Sequence, residues 1–248
     1  MTAPQLTEPA RVAAVTGAAG GIGEAVCRRL AADGFTVACL DISAADVTKL
    51  AADLPHALAV AVDVSDSASV RSAGARIRAE LGAPWLLVNV AGVFSIQRLT
   101  ELDEAEWDRI IDTNLKGPFL TCREFLPDMI SARDGCIVNV ASTAGVRGGR
   151  QRAAYTASKG GLVQLTRSLA IDHGPDGVRV NCVCPGLIDT SMADWIRSDP
   201  DALTRWAGTL PARRIGLASE VADVIAFVAA GGSYMHGAVV MVDGGGTA

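Results

Sequence analysis

A short apolar run, Arg11 to Thr16, gives way to Thr16-Gly17-Ala18-Ala19-Gly20-Gly21-Ile22-Gly23. An amphipathic stretch from Glu24 to Asp33 follows and is closed by Gly34. No other segment restricts the fold so much. The apolar run reads as a buried strand, the glycines as a tight turn, and the amphipathic stretch as a helix packed back on the strand. Gly17, Gly21 and Gly23 let the backbone approach a bulky anion closely. Unpaired N–H groups and the positive dipole end at the helix start favour a pyrophosphate. The spacing, T-G-x-x-x-G-x-G, is an altered form of the G-x-G-x-x-G dinucleotide fingerprint.

The same rhythm repeats along the chain. Strands are expected at 35–40, 57–62, 85–90, 136–141 and 178–184, and helices at 44–53, 67–81, 103–114, 117–130 and 160–172. Ser65 and Asp66 are cap candidates for the helix at 67, and Asp103-x-x-Glu106 resembles a capping box. Pro127 is expected to kink or end its helix. Alternating strands and helices give an α/β architecture, a doubly wound parallel sheet with helices on both faces. Half of the residues are hydrophobic and few are aromatic, which suits helices packed tightly on such a sheet. No linker, repeat or low-complexity tract divides the chain, so residues 1–248 read as one domain with a polar extension at 1–10.

Polar residues gather where the strands end. Asp41, Asp63, Asn89, Ser142 and Asp189 each stand at or just after the C-terminal end of a predicted strand, the edge where open α/β sheets bind ligands. Asp41 lies about 20 residues beyond the glycines, where a carboxylate accepts hydrogen bonds from the hydroxyls of an adenosine ribose and repels a 2′-phosphate. No arginine or lysine directly follows it, and none lies in the glycine turn. The expected cofactor is therefore NAD, with NADP disfavoured. The alternative role for Asp41 is a helix cap ahead of Ser43.

Tyr155 and Lys159 are four apart at the head of a predicted helix, so both side chains share one face. A tyrosine of pKa about 10 is a poor acid–base group at neutral pH. A neighbouring ammonium is expected to favour the phenolate and lower that pKa, equipping the pair to move a proton to or from an alcohol or carbonyl oxygen. The spacing by itself describes many surface tyrosines and solvated lysines, and its weight comes from the rest of the chain.

Taken together, these motifs resemble the short-chain dehydrogenase/reductase family from Arg11 to Gly246. The resemblance is carried by Thr16-Gly17-x-x-x-Gly21-Ile22-Gly23, Asp63-Val64, Asn89-x-Ala91-Gly92, Asn114, Ser142, Tyr155-x-x-x-Lys159, Pro185-Gly186 and Val242-Asp243-Gly244-Gly245. It implies a Rossmann-fold domain that binds NAD(P) and moves a hydride between the cofactor and a secondary alcohol or ketone. It implies a catalytic tetrad of Asn114, Ser142, Tyr155 and Lys159. Tyr155 would be the acid–base residue, and Lys159 would tune it and hold the nicotinamide ribose. Ser142 would bond the reacting oxygen, and Asn114 would hold a water linking Lys159 to solvent. The cofactor would be lined by Gly17, Gly21, Ile22, Gly23, Asp41, Ile42, Asp63, Val64, Asn89, Ala91, Gly92, Pro185, Gly186, Ile188 and Thr190, with Tyr155 and Lys159 at its nicotinamide end. The family often has a second asparagine where this chain has Val90. The resemblance also implies a homotetramer or homodimer built on the helices at 117–130 and 155–173.

The segment 191–210 resembles the family's substrate lid. Its Met192, Trp195, Ile196 and Trp206 suit an apolar wall. Arg147, Arg150 and Arg152 precede the catalytic helix and are candidates for a substrate carboxylate or phosphate, or simply a solvated loop or subunit contact. The formal net charge of −5 argues against nucleic acid as a partner. The six cysteines form no C-x-x-C pair, and no histidine stands at zinc-ligand spacing, so buried thiols and no metal are expected. With no secretory signal and no bilayer-spanning run, a cytoplasmic location and no membrane partner are expected. The runner-up activity is reduction of a 3-oxoacyl thioester. A different class of reading is a cofactor-bound regulator or scaffold, because fold alone does not define function.

Overall fold

A computed structural model of the chain describes residues 11–248. The expected extension at 1–10 lies outside the described residues. Seven strands form one sheet: β1 (Val12–Thr16), β2 (Thr36–Asp41), β3 (Ala57–Ala61), β4 (Leu86–Asn89), β5 (Gly135–Val140), β6 (Val178–Pro185) and β7 (Val239–Val242). Their order is β3-β2-β1-β4-β5-β6-β7, and every pairing is parallel. The sheet is the expected doubly wound one, and the strand order reverses direction between β1 and β4.

The strands read as continuous apolar runs because both faces of the sheet are covered. Alternate side chains go to opposite sides. Ala13, Val15, Val37, Cys39, Leu86, Val88, Cys136 and Val138 pack in one core with helices α1 (Gly21–Ala32), α2 (Ala44–Ala52) and α9 (Ala218–Ala226). Val12, Ala14, Ala38, Leu40, Leu87 and Ile137 face the other way, toward α3 (Ser67–Glu80) and α5 (Gly117–Ala132). Helix α6 (Ala153–His173) covers the same side of the sheet through Leu162, Val163 and Ala170.

Several local expectations hold in detail. The Asp66 carboxylate caps α3 by accepting from the N–H groups of Ala68 and Ser69 at 3.2 and 2.9 Å. Asp103 accepts from the N–H of Glu106 at 2.7 Å and starts α4 (Glu104–Ile111). The reciprocal half of that capping box is absent, because the Glu106 carboxylate is taken by Arg109 at 2.7 and 2.8 Å. Pro127 does not end α5, which runs on to Ala132. The buried Phe125, Leu126 and Met129 hold the helix through the lost hydrogen bond.

Three features lie outside the expected pattern. A π-helical turn, Asp112–Lys116, joins α4 to α5. Pro118, directly behind it, has no N–H to give the Asn114 carbonyl. Helix α9, which follows α7 (Asp194–Arg197) and α8 (Pro200–Gly208) of the segment 191–210, was not expected, and neither was edge strand β7 paired with β6. The described cysteines Cys27, Cys39, Cys122, Cys136, Cys182 and Cys184 are all free and buried. No helix among the described residues is long and apolar enough to cross a membrane.

One buried polar chain crosses the second core. Thr121 of α5 donates to Asn89 Oδ1 at 2.7 Å, Asn89 donates to Asn139 Oδ1 at 2.9 Å, and Asn139 donates to Thr166 of α6 at 2.9 Å. Thr166 passes its own proton to the Leu162 carbonyl at 2.8 Å. Each link is satisfied, so the chain fixes α5 and α6 against β4 and β5. Replacing one member leaves its partners buried and unpaired, at a cost of about 1–3 kcal/mol. Asn139→Ala should therefore lower the unfolding free energy by about that amount, read from urea titrations. An unchanged midpoint would show that the chain is not a constraint.

Candidate active site

The C-terminal ends of the strands open into one cavity of about 610 Å³. Its two ends differ in chemistry. At one end lie the glycine turn, Asp41, Ile42, Asp63 and Val64; at the other lie Ser142, Tyr155 and Lys159.

The glycine end is built by close approach. Gly17 has φ +66°, a left-handed conformation that a side chain disfavours, and a Cβ there would stand 2.7 Å from Ala91 Cα. Thr16 holds the same two loops together by accepting from the N–H groups of Val90 and Ala91 at 3.1 and 3.2 Å. Helix α1 begins at Gly21, three residues before the amphipathic stretch suggests. Its cap residue Gly20 offers no side-chain bond, so the helix's leading N–H groups face the cavity uncapped. The Asp41 carboxylate accepts from Ala19 N–H and Ser43 N–H, both at 3.0 Å, which fixes it at the rim. The cap of α2 is Ser43 itself.

The other end is carried by α6 and by the turn after β5. Tyr155 is 8 % exposed and Lys159 is 4 % exposed. The Lys159 ammonium donates to the Val140 carbonyl at 2.8 Å, which draws it to the sheet edge, and it lies 5.9 Å from the Tyr155 ring centroid. Burial pulls the Lys159 pKa down to about 8. Burial also pushes the Tyr155 hydroxyl up, while the Ser142 hydroxyl and the Arg152 guanidinium pull it down. Lys159, expected to lower the Tyr155 hydroxyl, is not among the groups that pull it down; those are Ser142 and Arg152.

Asn114 sits in the π turn, fully buried. It accepts from Val93 N–H at 2.8 Å and donates to the Val93 carbonyl at 2.9 Å and to Ser158 Oγ at 3.1 Å. It lies behind the cavity wall and clamps the loop after β4 to α6. Asn89, expected on the cleft wall, is not there. Strand alternation turns its amide into the second core, where Thr121 and Asn139 hold it. Ala91, Gly92, Pro185, Gly186, Ile188 and Thr190 do line the cavity. Of the four apolar residues expected to form a wall in 191–210, Met192, Trp195 and Trp206 face it, whereas Ile196 is buried beneath. Asp189 is a surface partner of Arg197 at 3.1 Å.

Sequence reasoning missed Phe94. Its ring meets Tyr155 edge-on, with centroids 4.9 Å apart. Nothing in the irregular loop around it signals this, and only the packing of that loop against α6 does. The C-terminal turn also returns to the cavity through Asp243 and Gly246. Asp243 lies in a quoted motif, but without an assigned role. Among the described residues no cluster suited to a metal ion is found.

Residues 17–247 match a family model described as enoyl-(acyl carrier protein) reductase. The chain is 39 % identical over 247 residues to 2-(R)-hydroxypropyl-CoM dehydrogenase of Xanthobacter autotrophicus, covering 96 % of this chain and 99 % of that protein. It is also 39 % identical to meso-2,3-butanediol dehydrogenase of Serratia marcescens, covering 96 % and 95 %. The crystal structure of gox2181 superposes with a TM-score of 0.92 at 34 % identity, covering 95 % of each chain. The chain belongs to the short-chain dehydrogenase/reductase family. Dehydrogenases of this family use nicotinamide cofactors, and the relatives support oxidoreductase activity on alcohols.

The two buried groups make this end of the site sensitive to pH. The native state favours the neutral Lys159 amine above about pH 8, whereas the unfolded chain keeps the ammonium up to about 10.5. Between those values the unfolded state binds more protons, so stability rises with pH there. Lys159→Met removes that rise. The unfolding free energy of the unmodified protein should gain about 3 kcal/mol on the variant's from below pH 8 to above 10.5. Urea titrations across this range measure it, and a constant difference between the two proteins would contradict it.

Proposed function

We propose that the protein is an NAD-dependent oxidoreductase of secondary alcohols and ketones, with Tyr155 as the acid–base residue. The observation that carries this reading is the convergence of Ser142, Tyr155 and Lys159 at one end of a cavity whose other end presents Asp41 and an uncapped helix.

The residues fit a dinucleotide. The uncapped N–H groups at Gly21, Ile22 and Gly23, with Gly17 behind them, suit a pyrophosphate. Asp41 and Ile42 would meet the adenosine ribose, and Asp63 and Val64 the adenine. Ala91, Gly92, Pro185, Gly186, Ile188 and Thr190 would flank the nicotinamide half. Among the described residues the Asp41 carboxylate is held by the Ala19 and Ser43 N–H groups and by no cation that would welcome a 2′-phosphate, which favours NAD. When bound, the cofactor supplies hydride transfer.

The chain's own groups supply position and protons. In ketone reduction, Tyr155 donates its proton to the carbonyl oxygen while the Ser142 hydroxyl holds that oxygen. Burial keeps Tyr155 protonated, which is the form this direction needs. In oxidation Tyr155 must first lose its proton, so kcat/KM rises with pH. Lys159 would hold the nicotinamide ribose, and Asn114 would keep the wall that Val93 and Ser158 form. The residues 191–210 would serve as a lid over the substrate. The same reading includes a homotetramer joined at α5 and α6, where Phe119 and Ile171 lie exposed.

Tyr155→Phe should leave folding and NAD binding intact and lower turnover by at least ~10²–10⁴-fold, the usual worth of placed proton transfer. The assay follows reduced nicotinamide with a panel of secondary alcohols, ketones and 3-oxoacyl thioesters. Retention of more than about a tenth of the activity would remove Tyr155 from the role. With the same panel, Asp41→Ala should narrow the preference for NAD over NADP. Equal kcat/KM for both cofactors in the unmodified protein would end the argument from Asp41.

A further inference from the structure

Beside Tyr155 stands a cation that no described residue answers. Arg152 is half-buried in the cavity lining, and its Nε is buried with no hydrogen-bond partner. Its guanidinium carbon lies 5.2 Å from the Phe94 ring centroid and 5.0 Å from that of Trp195. Gly149 makes room for its stem, since a Cβ there would stand 3.1 Å from Arg152 Cδ. Burial pulls the Arg152 pKa below its usual value.

The other cations of the cavity are already engaged. Arg109 pairs with Glu106 at 2.7 Å, Arg147 donates to the Gly246 carbonyl at 2.7 Å, and Lys159 donates to Val140. Arg150 is exposed and does not line the cavity. A desolvated guanidinium with an unmet donor costs free energy until an acceptor arrives. Its planar fork matches an oxyanion better than it matches any neutral group.

We propose that Arg152 is the anion-recognising residue of the substrate pocket, and that the substrate is a small secondary alcohol or ketone that also carries a carboxylate, sulfonate or phosphate. The proposal rests on the dehydrogenase reading and names its substrate class. Phe94 sets the scale. Its ring neighbours both the Arg152 guanidinium and Tyr155, so the reacting carbon and the anionic group are a few bonds apart. The Phe94 and Trp195 rings would wall the short apolar link and shield the ion pair from water.

The test has a kinetic arm and a binding arm. In the first, matched pairs are compared with either cofactor: 4-hydroxypentanoate against 2-pentanol, and 2-hydroxypropanesulfonate and 2-hydroxypropyl phosphate against 2-butanol. At least one anionic member should exceed its neutral partner in kcat/KM by about 10²-fold, and Arg152→Gln should erase most of that ratio. In the second arm, tryptophan fluorescence of the cofactor-loaded protein is titrated with 4-oxopentanoate, propanesulfonate and inorganic phosphate, with 2-pentanone as the neutral control. Saturable quenching by an anion should vanish in Arg152→Gln and return in part in Arg152→Lys, a variant that also covers misfolding of the first. If neutral alcohols react and no anion is preferred or bound, the subsite is overturned and the dehydrogenase reading stands. If no alcohol reacts but an anion binds through Arg152, the subsite stands and the dehydrogenase reading falls. An anion preference equal in the unmodified protein and in Arg152→Gln assigns recognition elsewhere and overturns the proposal.

Discussion

Covering both faces of a parallel sheet leaves little room for polar chemistry inside it. Strands β1, β2, β4, β5 and β6 are buried almost throughout. An unpaired polar group among them would cost more than most single contacts return. The exceptions, Asn89, Asn139, Thr121 and Thr166, satisfy one another in a closed series that ends on a helix carbonyl. Charged and reactive groups are pushed to the C-terminal edge. All seven strands run the same way, so all their ends open on that edge. The reversal of strand order between β1 and β4 leaves a crevice there, and the cavity occupies it.

Within the cavity, charge is divided by origin. The acids Asp41 and Asp63 follow β2 and β3, on one side of the reversal. Arg152 and Lys159 come from the start of α6, on the other. Asp243, which follows β7, adds a carboxylate on the second side, where Gly245 N–H and the Thr247 hydroxyl hold it. Lys159 and Tyr155 are both buried enough for water to stop levelling their protonation. Burial dominates both, lowering Lys159 and raising Tyr155, with Ser142 and Arg152 pulling the tyrosine back.

Local irregularities set the fine positions. The π turn widens the helix once, where Asn114 must reach both Val93 and Ser158. This clamp holds the loop carrying Phe94 beside α6, and Phe94 in turn packs on Tyr155 and on Arg152. Departures of this kind from a regular helix are frequent at functional sites, because an extra residue re-aims a side chain without unfolding the element.

The repeating pattern of apolar runs, glycine turns and amphipathic stretches determined by itself the α/β class, the strand and helix count through β6 and the sheet edge on which the cavity opens. These are local consequences of side-chain period and turn chemistry. Asp41 and the glycines were legible for the same reason, since their meaning depends on a strand and a helix a few residues away. Tertiary structure alone decided which polar residues face the cavity. Strand alternation turns Asn89 inward, although its position at a strand end points outward. The Lys159 ammonium is held on the Val140 carbonyl, 5.9 Å from the centroid of the Tyr155 ring. Of three neighbouring arginines only Arg152 is buried against two aromatic rings, and those rings come from the loop after β4 and from the segment after β6. Such placements depend on contacts between residues far apart in the chain, which no local pattern encodes.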